Sequence, residues 1–172
     1  MKYTPTLLKL LLNLYPPYLG AGVRVRYIAE DWKELHVTMS CRWFNRNAVS
    51  THFGGSLYSM VDPHLMLLLM QLLGRDYLIW DKAAAIDFVK ASKKPVTSII
   101  KLSDQDIEDI RANTRTGEKY LPEFLLELRD QDNQLIATIK KTLYVRRKST
   151  EQPSVEISAA AGQPEKASLL PD

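Results

Sequence analysis

Apolar and polar residues alternate along much of this chain, and one long apolar run interrupts the alternation. Val23, Val25 and Tyr27 alternate with Arg24 and Arg26; Leu35, Val37, Met39 and Cys41 alternate with His36, Thr38, Ser40 and Arg42. Asp31-Trp32-Lys33 lies between the two runs, so they predict a β-hairpin. Four further strands are predicted over 78–89, 96–102, 120–129 and 135–145. Strict alternation puts Trp80, Lys82, Ala84, Ile86 and Phe88 on one face of the first. It puts Ala137, Ile139, Leu143 and Val145 together on the last. The polar run Asp130–Asn133 predicts the turn that joins the last pair.

Three helices are predicted. Thr6 to Tyr15 carries an apolar stripe of Leu7, Leu8, Leu11, Leu12 and Tyr15, with Thr6 as its cap and Pro16-Pro17 as its end. Ser103 to Thr114 is a short amphipathic helix in which Ser103 and Asp106 form a capping box and Ile107 and Ile110 share a face. Gly54 to Leu73 is apolar on almost every side, and a helix without a polar face must be enclosed by protein. Gly74 is its natural stop. Pro63 within it predicts a bend or a lost hydrogen bond beside Asp62.

The element order is helix, two strands, a long buried helix and four strands. The simplest architecture is an α+β fold, a curled antiparallel β-sheet wrapped around the long central helix. Six short strands leave such a helix under-covered. A homodimer that joins two sheets would complete the cover, and a dimer of dimers is a possible extension. Residues 1–148 form this domain. From residue 149 the chain has no aromatic residue, a run of Ala159-Ala160-Ala161, and three Glu and one Asp against one Lys, which predicts a flexible acidic tail over 149–172.

Composition narrows the function classes. The chain has 172 residues, 45% of them apolar and 25% charged, and a net charge of +3, as in an ordinary globular domain. That charge is too small to argue for nucleic acid. Arg24, Arg26 and Arg42 leave a basic surface binder as a minor reading, for which steep salt dependence of nucleic-acid or membrane binding would be the signature. The single cysteine, Cys41, allows no intrachain disulfide and is expected to be a small core residue in a reducing, cytoplasmic setting. One Cys and three His without helical ligand spacing predict no metal site. The acidic group Asp104, Asp106, Glu108 and Asp109 lacks the glycine and spacing of a calcium loop. Lys2 followed by a Leu-rich stretch has the outline of a leader, but Lys9 interrupts it and no small-residue cleavage site follows. Leu65–Met70 is too short to cross a bilayer, so no membrane span is expected.

Candidate chemistry concentrates between Asn47 and Lys82. The string Asn47-Ala-Val-Ser-Thr-His52-Phe-Gly54-Gly55-Ser56-Leu-Tyr58-Ser-Met-Val-Asp62 resembles the signature of the hotdog acyl-CoA thioesterases of the phenylacetyl-CoA type. That signature is an Asn, then His-Gly-Gly, then an acid seven residues after the second Gly. Asn47, Gly55 and Asp62 match it. His52 departs, because Phe53 separates it from Gly54. The longer run from Phe53 to His64, with Leu72 to Ala83, is similar to an uncharacterised bacterial branch of the hotdog superfamily labelled thioesterase-like or of unknown function. The fold resemblance spans roughly residues 6–147.

The resemblance implies a hotdog fold and hydrolysis of acyl-CoA or a related thioester, without a metal or redox cofactor, coenzyme A entering only as part of the substrate. Asp62 would then be general base on water or a nucleophile that forms an anhydride; otherwise it is a structural acid. Asn47 would orient water or carbonyl, or else cap a turn. Gly54 and Gly55 would leave backbone N–H groups at the helix start free to hold an oxyanion. His52, Ser56, Tyr58, Trp80 and Lys82 are candidate substrate contacts. Trp80 would line an acyl tunnel or else pack in the core, and Lys82 would meet an acid of a dimer mate. Ser56 and Ser59 show no His–acid relay. Arg146-Arg147-Lys148 and Lys93-Lys94 are candidates for coenzyme A phosphates. Two other readings remain: a hotdog module that binds acyl chains or acyl-CoA without turnover, and an acyl thioester dehydratase or hydratase.

Overall fold

A computed structural model describes residues 3–148; the tail expected over 149–172 lies outside the described residues. The strands are β1 Val23–Ile28, β2 Glu34–Met39, β3 Tyr77–Phe88, β4 Val96–Lys101, β5 Lys119–Tyr120, β6 Glu123–Asp130 and β7 Leu135–Arg147. They form one antiparallel sheet in the order β1-β2-β4-β6-β7-β3, and the two-residue β5 also pairs with β7. Residues 120–129, expected as one strand, are divided between β5 and β6. Pro122, which has no N–H to give to a ladder, lies at the break, and its carbonyl accepts from Leu143 N.

The helices are α1 Pro5–Leu14, α2 Pro16–Ala21, α3 Gly54–Ser59, α4 His64–Leu73 and α5 Asp104–Asn113. α1 is capped by Thr4, not Thr6, with Pro5 at its first position. Pro16-Pro17 ends α1 and also begins α2, because proline is well placed in a first helical turn. α5 has the expected capping box between Ser103 and Asp106. Two of its other acids are engaged: Asp104 pairs with Lys33, and Asp109 accepts from Gln105.

The core lies between the sheet and α3–α4. Leu35, Val37, Met39, Val96, Ile100, Leu128, Ile139, Leu143 and Val145 line the inner face and, with Leu65, Leu68 and Leu69 of α4, are fully buried. This is the hotdog arrangement that the sequence resemblance implies. Cys41 follows β2 and is only partly buried, in contrast to the core position expected for it. The strand ends at Met39, so the alternation no longer governs which way Cys41 faces.

Two departures from regularity shape the site. The central helix breaks at Met60–Pro63 into α3 and α4, where Pro63 cannot donate into the helix. Strand β3 has a bulge against β7 between Asp81 and Ala83. A bulge reverses the inside–outside parity of the residues beyond it. Ile79 and Asp81 therefore face the inner side before the bulge, and Ala84 and Ile86, paired with Lys141 and Ile139, face it afterwards. The stretch Gly54–Leu73 is long and apolar enough by composition to cross a membrane, but 44% of its 18-residue apolar window is buried in the fold.

Candidate active site

Lys141 is the largest fully buried side chain among the described residues. Its Nζ donates to the main-chain carbonyl of Asp62 and lies 3.3 Å from Asp62 Oδ1 and 2.8 Å from Asp81 Oδ1. The Tyr58 ring lies beside it, with Nζ 5.8 Å from the centroid. The Pro63 break explains the first contact. Within a continuous helix the Asp62 carbonyl would accept from the next turn; at a helix break it accepts an ammonium instead. A buried lysine is tolerable only when paired, and here two carboxylates from two elements face it. The cluster of one ammonium and two carboxylates carries a net negative charge.

The two carboxylates differ in setting. The Asp62 side chain is 45% exposed and that of Asp81 24%. Burial holds the Asp81 carboxyl above its ordinary value, with the Lys141 ammonium pulling the other way. Burial, followed by the neighbouring Asp62 and Asp81 carboxylates, pushes the Tyr58 phenol well above its own. Tyr58 is therefore a hydrogen-bond donor at any ordinary pH. Tyr58, Asp81, Lys82, Ala83, Ala84 and Ile86 line an open cleft of about 400 Å³ beside the cluster.

Behind Asp62, His64 is fully buried, and its Nε2 lies 3.1 Å from the Tyr18 hydroxyl. Burial, reinforced by Lys141 and only partly offset by the Met60 carbonyl and Asp62, pushes the imidazole down to about 3. It is neutral at physiological pH.

The other expected residues gather elsewhere. Asn47 holds a loop: its Oδ1 accepts from Val49 N and Thr51 N, and its Nδ2 donates to Thr51 Oγ1 and the His52 carbonyl. All its hydrogen-bonding capacity is spent inside the loop. His52 is buried, with Nε2 2.8 Å from the Lys94 carbonyl. Asn47, His52 and Gly54 line a second cleft, of about 340 Å³, with Phe88, Val89 and Ser92. Gly55 and Ser56 line a third with Phe53 and Asn45. Aromatic rings pack against both glycines: a Cβ on Gly54 would lie 2.9 Å from the Phe88 ring, and one on Gly55 2.5 Å from the Phe53 ring. The first two N–H groups of a helix have no acceptor within it.

Asp62 thus shares none of these clefts with Gly54 or Gly55. Asp62 lies seven residues on from Gly55, beyond the end of α3, a separation of about 10 Å at the helical rise. Trp80 does not join Ala84 and Ile86. The bulge places it on the outer face, stacked on Tyr144 with ring centroids 4.0 Å apart. Lys82 is the exposed residue at the bulge itself. Sequence reasoning missed Lys141 and Asp81. The signal for Lys141 was present: it has the same odd parity as Ala137, Ile139, Leu143 and Val145. Asp81 had none, because only the bulge places it inside.

Residues 4–145 match the family described as Domain of unknown function (DUF4442). No curated protein matches the sequence. Among solved structures, a Pseudomonas aeruginosa protein of unknown function described as a probable thioesterase is 16% identical, with 85% of this chain and 98% of that chain covered and a TM-score of 0.72. A thioesterase from Haemophilus influenzae is 14% identical, covering 86% and 93%, at a TM-score of 0.62. The PaaI protein of the phenylacetic acid degradation operon of E. coli is 17% identical, covering 74% and 86%, at a TM-score of 0.53. At these identities the likeness establishes the shared fold.

Proposed function

The chain belongs to the DUF4442 family, and from its hotdog fold and the cluster around Asp62 we propose that it hydrolyses thioesters, with acyl-CoA as the substrate class. The observation that carries this reading is Asp62 itself. It is a half-exposed carboxylate at the break of an otherwise apolar helix, held by a fully buried lysine next to a cleft lined by Tyr58 and Asp81. Asp62 takes a proton from water as the water oxygen attacks the thioester carbonyl carbon. The C–S bond then breaks, and the thiolate leaves and takes up a proton. The alternative course has Asp62 attack the carbonyl to form an anhydride that water then opens. Tyr58 donates to the carboxylate or the substrate carbonyl.

An oxyanion needs donors within hydrogen-bond reach, and the chain's own helix start lies about 10 Å from Asp62. A homodimer through β3 resolves this. β3 is a sheet edge of 12 residues, and Ala83, Ala84, Ala85, Phe88 and Val89 are exposed along and just beyond it. A long exposed edge of this kind is a template for pairing. Antiparallel pairing about a two-fold axis near Ala84–Ala85 brings the 81–86 cleft of one protomer against the 88–92 cleft of its partner. Asp62 of one chain would then face the Gly54–Gly55 helix start of the other, with Phe88 over the shared site. The reaction needs no metal or redox cofactor, and coenzyme A enters as part of the substrate. The setting is the cytoplasm, where a free cysteine such as Cys41 stays reduced.

A module that binds acyl-CoA without turnover is the second reading. The hydrogen bonds of Asn47 favour it, because that side chain is consumed by structure, and His52 Nε2 is held by the Lys94 carbonyl. The same engagement of His52 leaves a dehydratase or hydratase with the weaker case. Thiol release from short, long and aromatic acyl-CoAs, with folded Asp62→Asn alongside, separates these readings. Turnover that falls about a hundredfold or more in the variant supports the hydrolase. Saturable binding without release from any substrate supports the binding module.

A further inference from the structure

At the opposite edge of the sheet, α1 packs along β1. Leu8 and Leu12 enter the core. Asn13 closes the strand edge, its Oδ1 accepting from Val25 N and its Nδ2 donating to Val25 O, and Lys9 Nζ donates to Arg26 O. The rest of the helix faces outward. Leu7, Leu10, Leu11 and Leu14 are 44–61% exposed, followed by Tyr15 at 50% and Leu19 at 49%. With about 100° between successive helical residues, the four leucines sweep a continuous arc of roughly 100°. A contiguous apolar patch of this kind on a globular surface marks an interaction site.

The segment that carries it has charge of one sign. Residues 1–29 contain Lys2, Lys9, Arg24 and Arg26 and no acid; Glu30 is the first. Arg24 and Arg26 are exposed, on the outer face of β1 beside the helix, since Val23 and Val25 point inward. A second copy of the chain would bring cations against cations. An anionic partner removes that repulsion, and a cationic rim around an apolar helical stripe matches the headgroup boundary of an anionic bilayer.

We propose that the outer face of α1 and α2 docks the protein onto an anionic lipid surface. The leucines and Tyr15 enter the headgroup boundary, and Lys9, Arg24 and Arg26 meet the lipid phosphates. The protein lies on the membrane and does not span it. The docking face is at the β1 end of the sheet and the Asp62 cluster at the β3 end, so one molecule can be docked while its β3 edge is paired. This inference stands independently of the thioester reading, because it is tested without turnover.

The test is flotation of the full-length protein with vesicles of phosphatidylcholine alone or mixed with phosphatidylglycerol, at low and high salt. Binding is expected with phosphatidylglycerol only and is expected to weaken with salt. Arg24→Gln with Arg26→Gln should weaken it roughly fivefold per cation removed. Leu10→Glu with Leu14→Glu should weaken it at least about tenfold, with circular dichroism and oligomeric state unchanged. The proposal is overturned if phosphatidylglycerol vesicles do not carry the protein, or if the leucine variant floats as well as the wild type. It is overturned equally if the leucine variant splits a larger assembly, which would show that a second copy covers this face.

Discussion

Lys141 on β7 and Asp62 at the break of the central helix are bound twice, ammonium to main-chain carbonyl and ammonium to carboxylate at 3.3 Å. One side chain therefore satisfies the broken helix and orients the acid that the proposed reaction uses. Lys141→Ala is expected to cost about 2–4 kcal/mol of stability, measured by urea denaturation, because it leaves two carboxylates and a carbonyl without their cation. Lys141→Met refills the volume but not the charge, and should still lose about 1 kcal/mol or more. A Met variant as stable as the wild type would show that the ion pair contributes nothing to folding.

His64 gives stability a pH dependence of known sign. Its folded-state value is depressed to about 3 from 6.5, so the folded protein favours the neutral ring. The stability this contributes is complete above about pH 6.5 and is lost as pH falls toward the folded value, at about 1.4 kcal/mol per pH unit. His64→Phe should start from a lower stability, having lost the Tyr18 contact, but should lose less between about pH 6 and 4. Parallel curves for the two proteins would assign the acid sensitivity to other groups.

Gly54→Ala and Gly55→Ala each push a Cβ into an aromatic ring, that of Phe88 or Phe53. Both rings are more than half exposed and free to turn aside, so each variant should fold with a loss below about 1 kcal/mol. Thioester turnover should fall much further, since the displaced ring and the added methyl both crowd the helix start. If turnover and stability fell in proportion, the glycines would be structural only.

Ala83→Asp with Ala85→Asp places like charges along the exposed β3 edge. If the proposed dimer forms, light scattering should show it giving way to a folded monomer, and thiol release should disappear with it. A monomeric wild type, or an active monomeric variant, would remove the composite site.

The sequence alone determined the order of the main elements, because these were coded locally, although α2 and the division of residues 119–130 into β5 and β6 were not foreseen. The alternations over 23–25, 35–39 and 96–102 bury one face of a strand wherever the sheet places them, whereas Tyr27, beyond a register shift in β1, and Cys41, beyond the end of β2, escape the pattern. Ser103 and Asp106 cap α5 from three residues apart, and the uniformly apolar 54–73 run has to be enclosed. Proline and glycine positions likewise marked the bend at Pro63 and the stop at Gly74. The motif around Gly54–Gly55 and Asp62 was equally legible, being contiguous along the chain.

Tertiary structure decided what surrounds Asp62. Lys141 and Asp81 are 79 and 19 residues from it in sequence and meet it only because β7 and β3 run under the helix break. One inserted residue at the β3 bulge placed Asp81 inside and Trp80 outside, and period-two reasoning cannot foresee that reversal, since it is a property of the pairing between two strands. Leu7 and Leu11 share the stripe of α1 with Leu8 and Leu12, yet only the latter pair meets the core. Which edge of a helical stripe is covered depends on where the helix docks, and that contact is made by residues distant in the chain.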